Sequence, residues 1–312
     1  MRHTVRTFAG TFAAIVLATG SAVGCGSTTD SPGTGTTSAA AAAFPVTVGS
    51  LTLDKRPERI VSLAPTGTEM LFAVDAGKQV VAVDDFSTFP TNAPKTDLSG
   101  YKPNAEAIAK YRPDLVVLSN DTEKIVDQLK ALRIPTFLAS AANTLDDTYQ
   151  QISDLGRLTG HAAEADALNQ QMRDDLAKLV KDLPKRSKPL TYYYELDQTY
   201  YSVTSRTFIG SLFTSAGLVN IADASSQAGN EYPQLSAEVI VKANPDLIFL
   251  ADTKCCGQSA ATVAKRAGWA GIAAVKNGGV IALDDDIASR WGPRVVDLQR
   301  AIVEAVAKAP AG

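Results

Sequence analysis

The sequence predicts an α/β protein of two lobes with similar plan, each built on a buried parallel sheet, with one long helix joining them. Three observations predict it. The run from Asn104 to Leu118 (NAEAIAKYRPDLVVL) returns from Ser236 to Leu250 (SAEVIVKANPDLIFL), an offset of 132 residues, with Ala, Glu, Ile, Lys, Pro, Asp and two Leu in register. Each copy ends in an unbroken apolar run, the pattern of a parallel strand covered on both faces. Between the copies, the stretch from His161 to Leu183 has few helix breakers and carries one apolar stripe at Leu168, Met172, Leu176, Leu179 and Leu183.

Within each copy the local signals agree. Asn104 and Ser236 are good N-caps, and Glu106 and Glu238 fall in the first helical turn, where the helix dipole favours an anion. The helices must end before Pro113 and Pro245. In a βα unit the helix begins at the edge where the strands end, which is also where open parallel sheets bind ligands. Glu106 and Glu238 are therefore expected on the rim of a cleft, one on each lobe.

The other elements follow in chain order. Arg59 to Phe72 reads strand, turn, helix, with Thr66 and Glu69 spaced as a capping box. Val80 to Val83 is a strand with the exit loop Asp84 to Pro90, and Ile134 to Leu138 is another strand. Helices are expected over Thr144 to Leu158 and His161 to Leu183. At 1.5 Å per residue the second spans roughly 35 Å, the breadth of a small domain. The second lobe starts at Leu190 with a strand from Tyr192 to Leu196, a helix from Phe208 to Ala216 and the repeated unit. A last strand, Val280 to Leu283, precedes the exit loop Asp284 to Arg294 and a terminal helix.

The first 25 residues specify a destination. Arg2 and Arg6 precede an apolar stretch from Phe8 to Ala18, and small residues then lead to Cys25. This is the layout of a secretion signal, too short for a spanning helix. The Ala-Val-Gly-Cys25 exit resembles the bacterial lipobox, whose cysteine is lipidated, although Ala22 stands where leucine is usual. Residues 26–43 are Gly, Ser, Thr, Ala and one Pro with a single charge at Asp30, the composition of a flexible tether. The expected organisation is thus a signal over 1–25, a tether over 26–43, a first lobe over 44–158, a connecting helix over 159–186 and a second lobe over 187–312.

Composition narrows the function. A net charge of −3 with acids and bases mixed gives no reason to expect nucleic-acid binding. Beyond residue 25, His161 is the only histidine, which excludes His-rich metal sites and disfavours His-based acid–base catalysis. Two further cysteines are too few for a protein-held iron–sulfur cluster. There is no Gly-x-Ser-x-Gly elbow or phosphate loop, so an enzyme finds little support. Those cysteines, Cys255 and Cys256, are adjacent and directly follow the repeated strand, at the expected cleft edge. In an oxidising compartment they pair as a strained eight-membered ring offering a rigid sulfur plate to a ligand, or they stay as two reduced buried thiols.

Signal with lipobox, polar tether, two lobes and a connecting helix resemble the substrate-binding lipoproteins that feed metal-chelate ABC importers, binders of vitamin B12, ferric siderophores and haem. The likeness covers residues 57–305. Ser87-Thr-Phe-Pro90, Tyr232-Pro-Gln-Leu-Ser-Ala-Glu238 and the spacing of Asp286, Arg290 and Pro293-Arg294 are most similar to the cobalamin binders. The resemblance implies two Rossmann-like lobes on one rigid helix, the class III periplasmic-binding-protein fold. It also implies a monomer without enzymatic activity or catalytic cofactor, held outside the cell membrane by lipid on Cys25. Glu106 and Glu238 match the glutamates that dock the two halves of the permease. Phe86, Tyr101, Tyr201 and Tyr232 fall at or near the aromatics set against the corrin, and Asp286 and Arg290 match a charged pair at the cleft. The family's tryptophans near Gly100 and at Ser119 are absent. For each aromatic the alternative is core filling, and for Asp286 and Arg290 it is a pair that only braces a loop. A surface lipoprotein without transport, or an enzyme, would be the other reading of the whole chain.

Overall fold

A computed structural model describes residues 44–310 apart from position 228, so the signal, the tether and Cys25 lie outside the described residues. A short antiparallel hairpin, β1 (Val46–Val48) with β2 (Leu51–Leu53), opens the described residues. The first sheet follows, with β3 (Ile60–Leu63), α1 (Pro65–Ala73), β4 (Val80–Asp84), β5 (Lys95–Leu98), α2 (Ala105–Ala109), β6 (Leu115–Leu118), α3 (Ile125–Ala131) and β7 (Thr136–Leu138). Its five strands are parallel in the order β5-β4-β3-β6-β7. Two long helices come next, α4 (Leu145–Thr159) and α5 (Ala162–Lys181).

The second sheet uses β8 (Thr191–Glu195), α6 (Phe208–Ser215), β9 (Val219–Asn220), α7 (Ala237–Ala243) and β10 (Leu247–Leu250). Three short helices, α8 (Thr253–Cys256), α9 (Ala260–Ala264) and α10 (Ala273–Lys276), lead to β11 (Val280–Ala282), α11 (Asp285–Ala288) and the terminal α12 (Val295–Lys308). Its four strands are parallel in the order β11-β10-β8-β9.

The 132-residue repeat is structural to the level of single hydrogen bonds. Asn104 Oδ1 accepts from the Ala107 N–H and Ser236 Oγ from the Val239 N–H, capping α2 and α7. Each copy places a residue at φ +49° (Arg112, Asn244) directly before its proline. The aspartate after each proline then pins the neighbouring strand. Asp114 Oδ2 accepts from the Arg59 N–H at 3.1 Å, and Asp246 Oδ2 from the Thr191 N–H at 2.8 Å. Those pinned residues stand 132 apart, as do the strand pairs that follow, Ile60 with Leu115 and Tyr192 with Leu247. All residues of β6 and β10 are buried, as expected for strands covered on both faces.

In each sheet the first strand is internal and the chain winds outward from it both ways. The switch in direction falls between β3 and β6 in one sheet and between β8 and β10 in the other, and it opens a crevice at their carboxyl ends.

Three expectations are corrected, and one strand is added. The Thr66–Glu69 capping box does not form: α1 begins at Pro65 with no side-chain cap, because proline suits the first turn, and Glu69 is used elsewhere. The connecting helix is shorter than expected, twenty residues from Ala162 to Lys181, and is packed along both α4 and α12. The strand from Ile134 begins only at Thr136. Strand β5 (KTDL) was hidden by its polar sequence, which suits an edge with one sheet neighbour. Met172 and Leu176 of the α5 stripe are buried, with Leu168, Leu179 and Leu183 packed against the same core.

Candidate functional site

The first lobe's wall is made of three strand exits. Phe86 follows β4, Ser119 follows β6, and Tyr101 sits on a turn that crosses the end of β3. Glycine is required at 100 for that crossing, since a Cβ there would stand 2.6 Å from the Leu63 carbonyl oxygen. Phe86 and Tyr101 meet edge to face, centroids 5.2 Å apart at 80°. They remain 50% and 69% exposed, so the pair faces solvent and is not core. Beneath them, Asp84 is buried and accepts a hydrogen bond from Ser87 Oγ at 2.5 Å. Burial raises its pKa, opposed by that hydrogen bond.

The second lobe supplies the opposite wall from the segment after β11. Asp284 caps α11, accepting from the N–H groups of Asp286 and Ile287. Asp286 and Arg290, one helical turn apart, pair at 2.8 Å. Arg290 also donates to the Phe86 carbonyl oxygen at 3.0 Å and pairs with Glu69 at 2.7 Å, both on the other lobe. Arg294 reaches the same Glu69 with two nitrogens, at 2.9 and 2.6 Å, and its guanidinium lies over the Phe89 ring. Asp286 and Arg290 thus do more than brace a loop: they belong to an ion cluster between lobes. Thr148 Oγ1 donates to the Trp291 carbonyl oxygen, and Trp291 Nε1 to Gln151 Oε1, adding two ties to α4.

Between the walls lies a cavity of about 240 Å³ lined by Pro65, Thr66, Phe86, Tyr101 and Ser119 from one lobe and by Asp286, Ser289, Arg290 and Trp291 from the other. It therefore gathers Phe86, Tyr101, Asp286 and Arg290 into one place. Trp291 was missed because a lone tryptophan in a loop has no spacing signal. Glu69 and Arg294 were missed as partners because 225 residues separate them.

The cysteine pair sits beside this wall. The structure pairs Cys255 and Cys256 through their sulfurs, the first of the two alternatives. The Asp285 carboxylate accepts from the N–H groups of Thr253, Lys254 and Cys255, each at 2.9 Å. Burial opposes its ionisation, yet these bonds hold its pKa below the ordinary value. Lys254 bridges to Asp284 at 2.8 Å and to the cavity-lining Asp286 at 3.1 Å.

Tyr201 and Tyr232 lie on two segments joined in antiparallel fashion by Ser202 N–H to Pro233 O and Thr204 N–H to Glu231 O. Both are exposed, at 41% and 52%, but neither lines the cavity above. Tyr200 instead stacks on Trp269, centroids 5.7 Å apart, so one of the adjacent tyrosines serves the core and the other faces out. Under this region, at the switch between β8 and β10, Arg266 holds the buried Glu195 with two bonds of 2.6 Å. Asp252, fully buried, has neither carboxyl oxygen hydrogen-bonded, and burial followed by the Glu195 charge pushes its pKa up to about 7.

Glu106 and Glu238 are exposed at the first turns of α2 and α7, and among the described residues neither takes part in an ion pair. The Glu238 carboxyl is held below its usual pKa by its own N–H and the Ser236 hydroxyl. His161 lies at the α4–α5 elbow, in contact with Arg56 and Gln79, and does not line the cavity. No group of three or more His, Cys, Asp or Glu side chains able to hold a metal ion occurs among the described residues.

The chain matches the family described as "Periplasmic binding protein" over residues 60–287. It is 33% identical over 271 residues to a cobalamin-binding protein of Halobacterium salinarum, covering 82% of this chain and 73% of that one. It is 30% identical to an ABC transporter substrate-binding lipoprotein of Bacillus subtilis, with 96% of each chain covered. Among solved structures, the periplasmic vitamin B12 binding protein of Vibrio cholerae superposes with a TM-score of 0.64 at 25% identity, covering 80% of this chain and 96% of that one. The chain belongs to the periplasmic binding protein family.

Proposed function

We propose that the protein captures a metal chelate, cobalamin first and a ferric siderophore second, in the cleft between its lobes and delivers it to the permease of an ABC importer. In this reading Phe86, Tyr101, Tyr201, Tyr232 and the Cys255–Cys256 bridge stack on the ligand, while Asp286 and Arg290 hydrogen-bond its edge. Glu106 and Glu238 meet the permease. Lipid on Cys25 holds the molecule at the outer face of the cell membrane, and it performs no chemistry on its cargo.

One observation carries the choice of ligand. Arg290, the one cation lining the described cavity, has both terminal nitrogens engaged, by Glu69, by Asp286 and by the Phe86 carbonyl. A corrin with amide side chains asks for flat apolar faces and a few polar groups, which exposed aromatics and a neutralised ion cluster provide. The carboxylates of haem or of anionic siderophores ask for unpaired arginines. The naming of relatives as cobalamin and vitamin B12 binders supports the same order. Calorimetry of the purified protein with cyanocobalamin, a ferric hydroxamate and haem tests it. Heat with cyanocobalamin is expected, and silence with all three rejects the reading.

A further inference from the structure

We infer that Glu69 is the specificity-determining residue of the cleft: by neutralising Arg290 and Arg294 from behind, it makes the wall accept uncharged chelates and reject anionic ones. The inference rests on the function proposed above and names the charge class that function selects.

Guanidinium groups stay charged at any physiological pH, so the carboxylates around them set the sign of the wall. Glu69 comes from α1 in one lobe, Arg290 and Arg294 from the end of the other. Side-chain exposures are 2% for Glu69, 9% for Arg290 and 16% for Arg294, so solvent screens the cluster little. Asp286 does not suffice without it, because that carboxylate already serves Lys254 as well as Arg290. Without the Glu69 charge, Arg294 has no carboxylate partner and Arg290 has half of one, beside a cavity that Arg290 lines. A wall with a net positive charge and free guanidinium donors is the chemistry that binds carboxylates and catecholates. Access from α1 is also built in. A Cβ at Gly292 would stand 3.3 Å from Thr66 Cγ2 and 3.6 Å from Glu69 Oε2, so the arginine segment lies directly against α1.

A plain interlobe brace is the rival account, and it predicts equal losses for every ligand. Two iron chelates of similar size separate the two accounts: a neutral ferric trihydroxamate and an anionic ferric tricatecholate. Affinities for both, and for cyanocobalamin, would be measured with the wild type and with Glu69→Gln, Glu69→Asp and Asp286→Asn. Because Glu69→Gln leaves buried arginines underpaired and risks misfolding, Asp286→Asn, at a part-exposed position, adds the same charge change to the cavity. The expected result is a ratio of affinities moved toward the tricatecholate by about ten- to a hundredfold in both neutral variants, with steeper salt dependence. Glu69→Asp should keep the wild-type ratio. An unmoved ratio in a folded neutral variant, or equal loss for all chelates, overturns the inference. Should the wild type bind none of the three, the transport reading falls. The charge filter is then judged alone by whether the neutral variants gain the tricatecholate.

Discussion

Asp252 shows how one side chain can carry a pH dependence. Its carboxyl is buried beside Glu195, which Arg266 holds with two hydrogen bonds, and burial raises its pKa to about 7 against 3.8 for the free group. The folded state therefore holds a proton that the unfolded chain has lost between those values, so stability falls as pH rises from about 4 to 7 and stays lowered above. Asp252→Asn removes the titration. We expect its urea midpoint to exceed that of the wild type at pH 8 by an amount worth more than about 1 kcal/mol, with the gap closing toward pH 4. A constant gap across that range would place the raised pKa elsewhere. The pair Tyr200 and Tyr201 teaches the same lesson about scale, since identical neighbours take opposite roles according to which one finds Trp269.

At the scale of elements, the two copies of the helix–proline–strand unit put one exposed glutamate at the head of α2 and another at the head of α7. Reversing both to arginine should abolish uptake while changing ligand affinity by no more than about twofold, the usual reach of exposed substitutions far from a site. Loss of ligand affinity in the purified double variant would put these carboxylates on the wrong surface. The helix α8 offers a second test. Three of its N–H groups are gathered on Asp285 and its lysine on Asp284 and Asp286, so α8 is fastened to the segment that carries Asp286. Replacing Cys255 and Cys256 by serine should weaken cyanocobalamin binding about two- to tenfold, the range of sulfur–aromatic contacts, and the variant should no longer respond to a thiol reductant. Unchanged affinity would remove the bridge from the contact surface.

For the whole molecule, the lobes are tied at two places. Helix α5 packs along α4 and α12, and the segment from Arg290 to Arg294 is fastened to the first lobe through Glu69, Thr148, Gln151 and the Phe86 carbonyl. Opening the cleft would expose a buried carboxylate, strip Arg294 of its carboxylate partner and leave Arg290 with Asp286 alone, a cost of several kcal/mol. Small-angle scattering profiles with and without cyanocobalamin are therefore expected to give radii of gyration within about 1 Å of each other. A larger closure would show that the ion cluster opens in solution.

The amino-acid sequence by itself determined the two-lobe α/β plan, the repeat, the caps at Asn104 and Ser236 and the placing of Phe86 and Arg290 in segments that leave strand ends. These are local matters: periodicity, proline and cap chemistry act within a few residues, and the repeat carries them from one lobe to the other. Tertiary structure alone decided that Glu69 abandons its own helix cap for two arginines and that Trp291 enters the cavity. It also decided that Tyr201 and Tyr232 lie outside that cavity. Each of those outcomes depends on groups far apart in the chain competing for one partner in a space closed to water. Burial makes an unpaired charge costly, and sequence spacing does not encode which distant carboxylate will relieve it.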